Sequence, residues 1–73
     1  MDKSLDVIIT ENIKREIEQS GMKKSDIAKA IGVSGATVSQ YLSGRAQPTL
    51  ATFSRLCSVL DCSADEILNV KQK

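Results

Sequence analysis

The chain has no histidine, and only two of its 73 residues are cysteine. Zinc sites usually take four nitrogen, sulfur or carboxylate ligands, so a single Cys57-x4-Cys62 pair without histidine does not assemble one. There is no glycine-rich loop to cradle a phosphate, and no stretch shows the strict apolar–polar alternation of a half-buried strand. A chain this short has little room for a concave pocket that excludes water. No apolar run approaches the ~20 residues of a membrane span. The opening residues Met1, Asp2, Lys3 and Ser4 lead into mixed polar sequence rather than a signal peptide. The resulting expectations are no enzyme activity, no cofactor, no metal and no membrane partner.

The two cysteines lie among Leu56, Val59 and Leu60. Five positions along a bent helix rarely bring two Cα atoms within the ~7 Å a disulfide needs. They read as small apolar residues kept reduced.

What remains is an ordinary globular balance, 41% hydrophobic and 26% charged. The length suits one domain over residues 1–73, with a core over about 5–68 and a tail at 69–73 expected to fray. Such a domain buries only about 60% of its unfolded surface, so its own stability is modest and association would raise it. The net charge is only +1, but it is unevenly spread. Residues 19–58 carry Lys23, Lys24, Lys29, Arg45 and Arg55 against Asp26 alone, whereas both flanks are net acidic. Positive charge is concentrated mid-chain, a distribution that matters only in its structural setting.

Every periodic segment reads as helix. Ile9, Ile13 and Ile17 form one stripe of a helix over residues 5–20, which Gly21 ends. Ile27, Ala28 and Ile31 mark a second, stopped by Gly32. Met22 and Ile27 have the spacing of a hydrophobic staple, placing its start near Lys23, with a start one turn later capped by Ser25 as the alternative. Ser34 caps a third helix with Val38, Tyr41 and Leu42 inward and Gly44 at its end. After the short Arg45-Ala46-Gln47-Pro48 loop, Thr49 caps a fourth whose inner face is Leu50, Phe53, Leu56, Cys57 and Leu60. Ser63-Ala64-Asp65-Glu66 has the form of a capping box opening a short fifth helix with Ile67 and Leu68. The expected fold is all-α, five short helices with tight connections.

The most informative stretch is Lys24 to Gly44. Two short helices joined by Gly32-Val33-Ser34 make the near-perpendicular arrangement that a three- to four-residue turn imposes. Ala28 is small at the expected crossing, and Gly32 can take the positive φ the turn needs.

The run Asp26-Ile27-Ala28-Lys29-Ala30-Ile31-Gly32-Val33-Ser34, followed by Thr37-Val38-Ser39, resembles the Cro/repressor-type (xenobiotic-response-element) helix-turn-helix family. Gly44-Arg45, Pro48-Thr49-Leu50 and Cys62-Ser63-Ala64-Asp65-Glu66-Ile67 fit the same pattern, so the resemblance covers about residues 8–68. It implies a lambda-repressor-like five-helix domain whose third helix enters the major groove of double-stranded DNA. Carried over by position, Ser34, Gly35, Ala36, Ser39 and Gln40 would read bases. Lys24, Ser25, Thr37, Ser43 and Arg45 would hold phosphates, with backbone amides at the starts of helices two and four.

A helical wheel agrees on orientation. With Val38, Tyr41 and Leu42 inward, Ala36, Gln40 and Ser43 point outward, and Tyr41 is a core residue. Gln40 is the one long hydrogen-bonding side chain on that face and can pair bidentately with adenine; Ala36 can touch a thymine methyl. Two positions depart from the family pattern. Gly35 stands where a long polar base reader is usual, and Lys24 replaces a glutamine that orients on phosphate, keeping the charge without the geometry.

The resemblance implies a cytoplasmic transcriptional regulator of bacterial or phage origin, a repressor, binding two half-sites as a homodimer. Val59, Leu68 and Val70 lack an obvious internal partner and mark the expected dimer surface. The alternative is an interaction module or antitoxin-like domain whose third helix does not touch DNA, which Gly35 and the near-neutral charge allow.

Overall fold

Ser4, Ser34 and Thr49 each accept a hydrogen bond from the backbone amide three residues on, from Val7 at 3.3 Å, Thr37 at 3.1 Å and Thr52 at 3.2 Å. In each case a side-chain oxygen satisfies one of the amides left without a partner in the first turn, and a helix starts there. A computed structural model describes residues 4–70. Among them the regular elements are α1 (Leu5–Ser20), α2 (Lys24–Ile31), α3 (Gly35–Ser43), α4 (Leu50–Leu60) and α5 (Ala64–Leu68). The all-α, five-helix expectation holds.

α2 begins after Lys23, not one turn later at Ser25, and Lys23 caps it without a side-chain hydrogen bond. Ser63 occupies the N-cap of α5 as the sequence suggests, yet its side chain makes no cap hydrogen bond. The capping box is therefore not closed. Asn69 and Val70, expected to fray, are held: their amides donate to the carbonyls of Glu66 (3.3 Å) and Asp65 (3.0 Å). The rest of the expected tail, residues 71–73, lies outside the described residues.

Each helix gives its inward stripe to one core: Ile13 and Ile17; Ile27, Ala28 and Ile31; Val38 and Tyr41; Phe53 and Leu56; and Ile67. α1 and α2 form the frame. α3 packs on both, α4 packs mainly on α2, and α5 packs on α1. Removing most of a fully enclosed side chain such as Ile27 or Leu56 would cost about 2–5 kcal/mol, from lost transfer energy plus the cavity left behind. Tyr41 is buried, in keeping with its place on the inward face.

Two expectations about apolar residues are overturned. Leu50 was assigned to the inner face of α4 but is 85% exposed, because as the first residue of that helix it stands before the turns that reach α2. Val59 and Leu68 were expected to lack internal partners, whereas both are half-buried against the core. Of that trio only Val70 stays open, at 56% exposure.

The fifth helix is anchored from a distance. The Asn12 side-chain amide in α1 donates to the carbonyls of Ile67 (3.0 Å) and Glu66 (3.4 Å). These carbonyls lie in the last turn of α5, and that of Glu66 is shared with the Asn69 amide.

Candidate nucleic-acid interface

The connection between α2 and α3 closes on backbone hydrogen bonds. Gly32 takes a left-handed conformation (φ 80°, ψ 32°), and the Gly32 and Val33 amides both donate to the Ala28 carbonyl, at 2.9 and 3.0 Å. A β-carbon in this conformation would be strained, so the turn depends on glycine. Val33 is half-buried beyond the turn, and Ser34 immediately caps α3. Three residues thus carry the chain from one helix to the next and redirect it, as the sequence suggests.

With Val38 and Tyr41 locked into the core, the rest of α3 is oriented. Ser34, Gly35, Ala36, Ser39, Gln40 and Ser43 are all exposed, and Leu42 is half-buried. All five residues expected to read bases therefore share the outer surface of one short element. Apart from Gln40 that surface is built of glycine, alanine and serine. The Ser34 hydroxyl is partly committed: it accepts from the Thr37 amide and lies 2.9 Å from the Thr37 hydroxyl. Thr37 is half-buried, so its hydroxyl is a less open contact than Ser43 or Arg45. The Ser43 hydroxyl donates to the Gln40 carbonyl at 3.2 Å and keeps a lone pair outward.

The helix ends on a cap that gathers donors on one acceptor. The amides of Gly44, Arg45 and Ala46 all point to the Gln40 carbonyl, the last two at 3.1 and 3.4 Å. Arg45, exposed, leaves this cap directly beside the end of α3.

Lys24 and Ser25, also exposed, occupy the first turn of α2. No side-chain oxygen caps that turn, and the Asp26 carboxylate shares it with Lys24 and Ser25. Lys24, Ser39 and Ser43 line one open groove together with Lys14 and Glu18 of α1. Lys14 is a cation that sequence reasoning missed, because it lies in a segment with net acidic charge. The other flank of Ser43 is bounded by Asp6 and Glu11, so the two lysines lie on one side of it only. Arg55 is counted among the mid-chain cations of the sequence, which does not place it near the turn. Its guanidinium sits 4.0 Å from where a β-carbon on Gly32 would be, next to the end of α2.

Among the described residues no group of three or more histidine, cysteine, aspartate or glutamate side chains is placed to hold a metal. Among the same residues no helix is long and apolar enough to cross a membrane.

Two short helices set by a glycine turn, the second with its outer face free, define a helix-turn-helix domain. The family described as helix-turn-helix, of the Cro/C1 type, matches residues 13–67, and the chain belongs to it. This is a DNA-binding family and not an enzyme family. Comparison with curated proteins and with solved structures gave no match.

Proposed function

We propose that this chain is a sequence-specific transcriptional regulator, acting as a repressor, that reads the major groove of double-stranded DNA with α3. The observation that carries the reading is the outer face of α3, where Gln40 stands alone as a long hydrogen-bonding side chain among small exposed residues. Gln40 pairs with adenine, and Ala36 meets a thymine methyl. Ser34, Gly35 and Ser39 supply close backbone and hydroxyl approaches. Lys24, Ser25, Thr37, Ser43 and Arg45 fix the register on phosphates, with Lys14 added to that set by the groove it shares with Lys24.

One copy is a weak binder, since every phosphate contact in such a small interface counts and each changes the salt slope by about 0.9. We therefore read the active form as a homodimer. The described chain measures 33 × 26 × 22 Å. Major-groove faces one helical turn apart are separated by about 34 Å, of the order of the longest dimension of one copy. Val70, exposed beyond α5, is the contact surface we assign. Residues 1–73 act as one DNA-binding unit, working in the cytoplasm where the DNA lies.

The test is selection of bound duplexes from a random pool, followed by titration of the selected and scrambled sequences at several salt concentrations. A preferred site containing adenine–thymine steps, with affinity falling steeply as salt rises, is the expected result. Failure to enrich any sequence would move the assignment to a protein-interaction module, the reading that Gly35 and the low net charge favour.

A further inference from the structure

α4 ends on a residue other than glycine. Asp61 takes the left-handed conformation (φ 52°, ψ 50°), the Cys62 amide donates to the Cys57 carbonyl at 3.1 Å, and the Asp61 amide donates to the Ser58 carbonyl at 3.4 Å. This is the Schellman arrangement, in which the residue after the left-handed one folds back over the residue three positions before the helix end. The two positions it brings face to face usually carry an apolar contact; here both are cysteine. Each is half-buried, each thiol is free, and the Cys62 amide bonded to the Cys57 carbonyl holds the two residues together at the cap. Both stay free, as the sequence suggests, but the chain reverses between them, which linear spacing does not anticipate.

We infer that Cys57 and Cys62 form an oxidisable dithiol that closes into an intramolecular disulfide across the C-terminal cap of α4, with a small-molecule disulfide such as oxidised glutathione as the oxidant.

The Cys57 thiolate attacks one sulfur of the small disulfide and expels a thiolate. The Cys62 sulfur then attacks the mixed disulfide at Cys57 and displaces the second. The two protons lost by the protein end on the two released thiols. The protein gives up two electrons and the small disulfide takes them, so the exchange balances. Cys57 is the attacking residue because its thiol is raised less than that of Cys62. Burial raises both thiols above their ordinary range, that of Cys62 to about 11. Glu16 of α1 adds to both shifts, and Asp61 to that of Cys62. No cation offsets them, so the pair stays protonated and closes slowly near neutral pH. Closure would link the end of α4 to the residue leading into α5 without touching α3, which packs on α1 and α2.

The reduced full-length chain is equilibrated with excess oxidised glutathione, natively and in concentrated guanidinium chloride. Products are read by intact mass and by alkylation. Native protein should become a monomer lighter than the dithiol by two hydrogens and take up no alkylating reagent. Cys57→Ser and Cys62→Ser should each hold one glutathione instead. The closing equilibrium should favour the disulfide at least about tenfold more in the native state than in denaturant, since folding holds the two sulfurs together. Glutathione retained on both native cysteines, disulfide-linked dimers, or equal closing in native and denatured protein would each overturn the inference.

Discussion

The backbone amide of Arg45 donates to the carbonyl of Gln40 at 3.1 Å, tying the first residue beyond the Gly44 cap to the outward glutamine of α3. One hydrogen-bonded turn therefore presents the proposed base reader and a proposed phosphate contact side by side. Their contributions are separable by salt. Gln40→Ala is expected to cost ~1–3 kcal/mol on the preferred site and little on scrambled DNA. Arg45→Ala or Lys24→Ala should weaken both duplexes alike and lower the salt slope by about one unit each. Gly35→Gln should change the selected sequence and leave the slope alone. Equal loss on both duplexes for Gln40→Ala would remove α3 as the sequence reader.

At Gly32 the obstacle to substitution is conformation, not space. A β-carbon there would meet only the Arg55 guanidinium, at 4.0 Å, but at φ +80°. Gly32→Val is expected to lower stability by ~1–3 kcal/mol. Gly35, in open space at the start of α3 and without a positive φ, is the control. Gly35→Ala should melt at or slightly above the parent temperature. Thermal melts in which the two variants behaved alike would show that the turn does not depend on its left-handed residue.

Asn12 is expected to be the main polar tether of α5, through its bonds to the Ile67 and Glu66 carbonyls. Asn12→Ala removes a donor from two helix-end carbonyls, leaves that of Glu66 with the Asn69 amide, and should cost about 1–2 kcal/mol. Hydrogen exchange should quicken mainly in α5, which packs on α1, and little in α3. Uniform quickening throughout the chain would mean that α5 opens only with global unfolding.

Val70→Asp tests the assigned dimer surface. Val70 is 56% exposed, so the exchange removes little internal packing. Sedimentation should shift toward monomer with helicity unchanged. If the concentration dependence matched the parent, the interface would lie elsewhere, and exposed Leu50 would be the next position to charge.

Much of the fold could be read from punctuation. Gly21, Gly32 and Gly44 end three helices, Ser34 and Thr49 open two, and the isoleucine spacing orients α1. The orientation of α3 was equally legible, because Val38 and Tyr41 leave it one way to face. What escaped depended on where an element stops relative to its neighbour. Leu50 has the right phase on a helical wheel but precedes the contact, and Val59 and Leu68 find partners only through the placement of α4 and α5. Lys14 was hidden because summing charge along the chain cannot show that α1 brings it into the groove of Lys24. The facing of Cys57 and Cys62 rests on a left-handed Asp61, and aspartate does not announce that conformation as glycine does.

The same contrast in helix ends bears on heat resistance. α1, α2 and α3 finish on glycine, whereas α4 and α5 finish on Asp61 and Asn69, held at φ 52° and 60°. Aspartate and asparagine tolerate that region better than other side chains, yet less well than glycine. Tolerance to heat is therefore not at its ceiling in this sequence. The room for improvement sits at the ends of α4 and α5, where a thermally hardier version could be made without altering any residue on the outer face of α3.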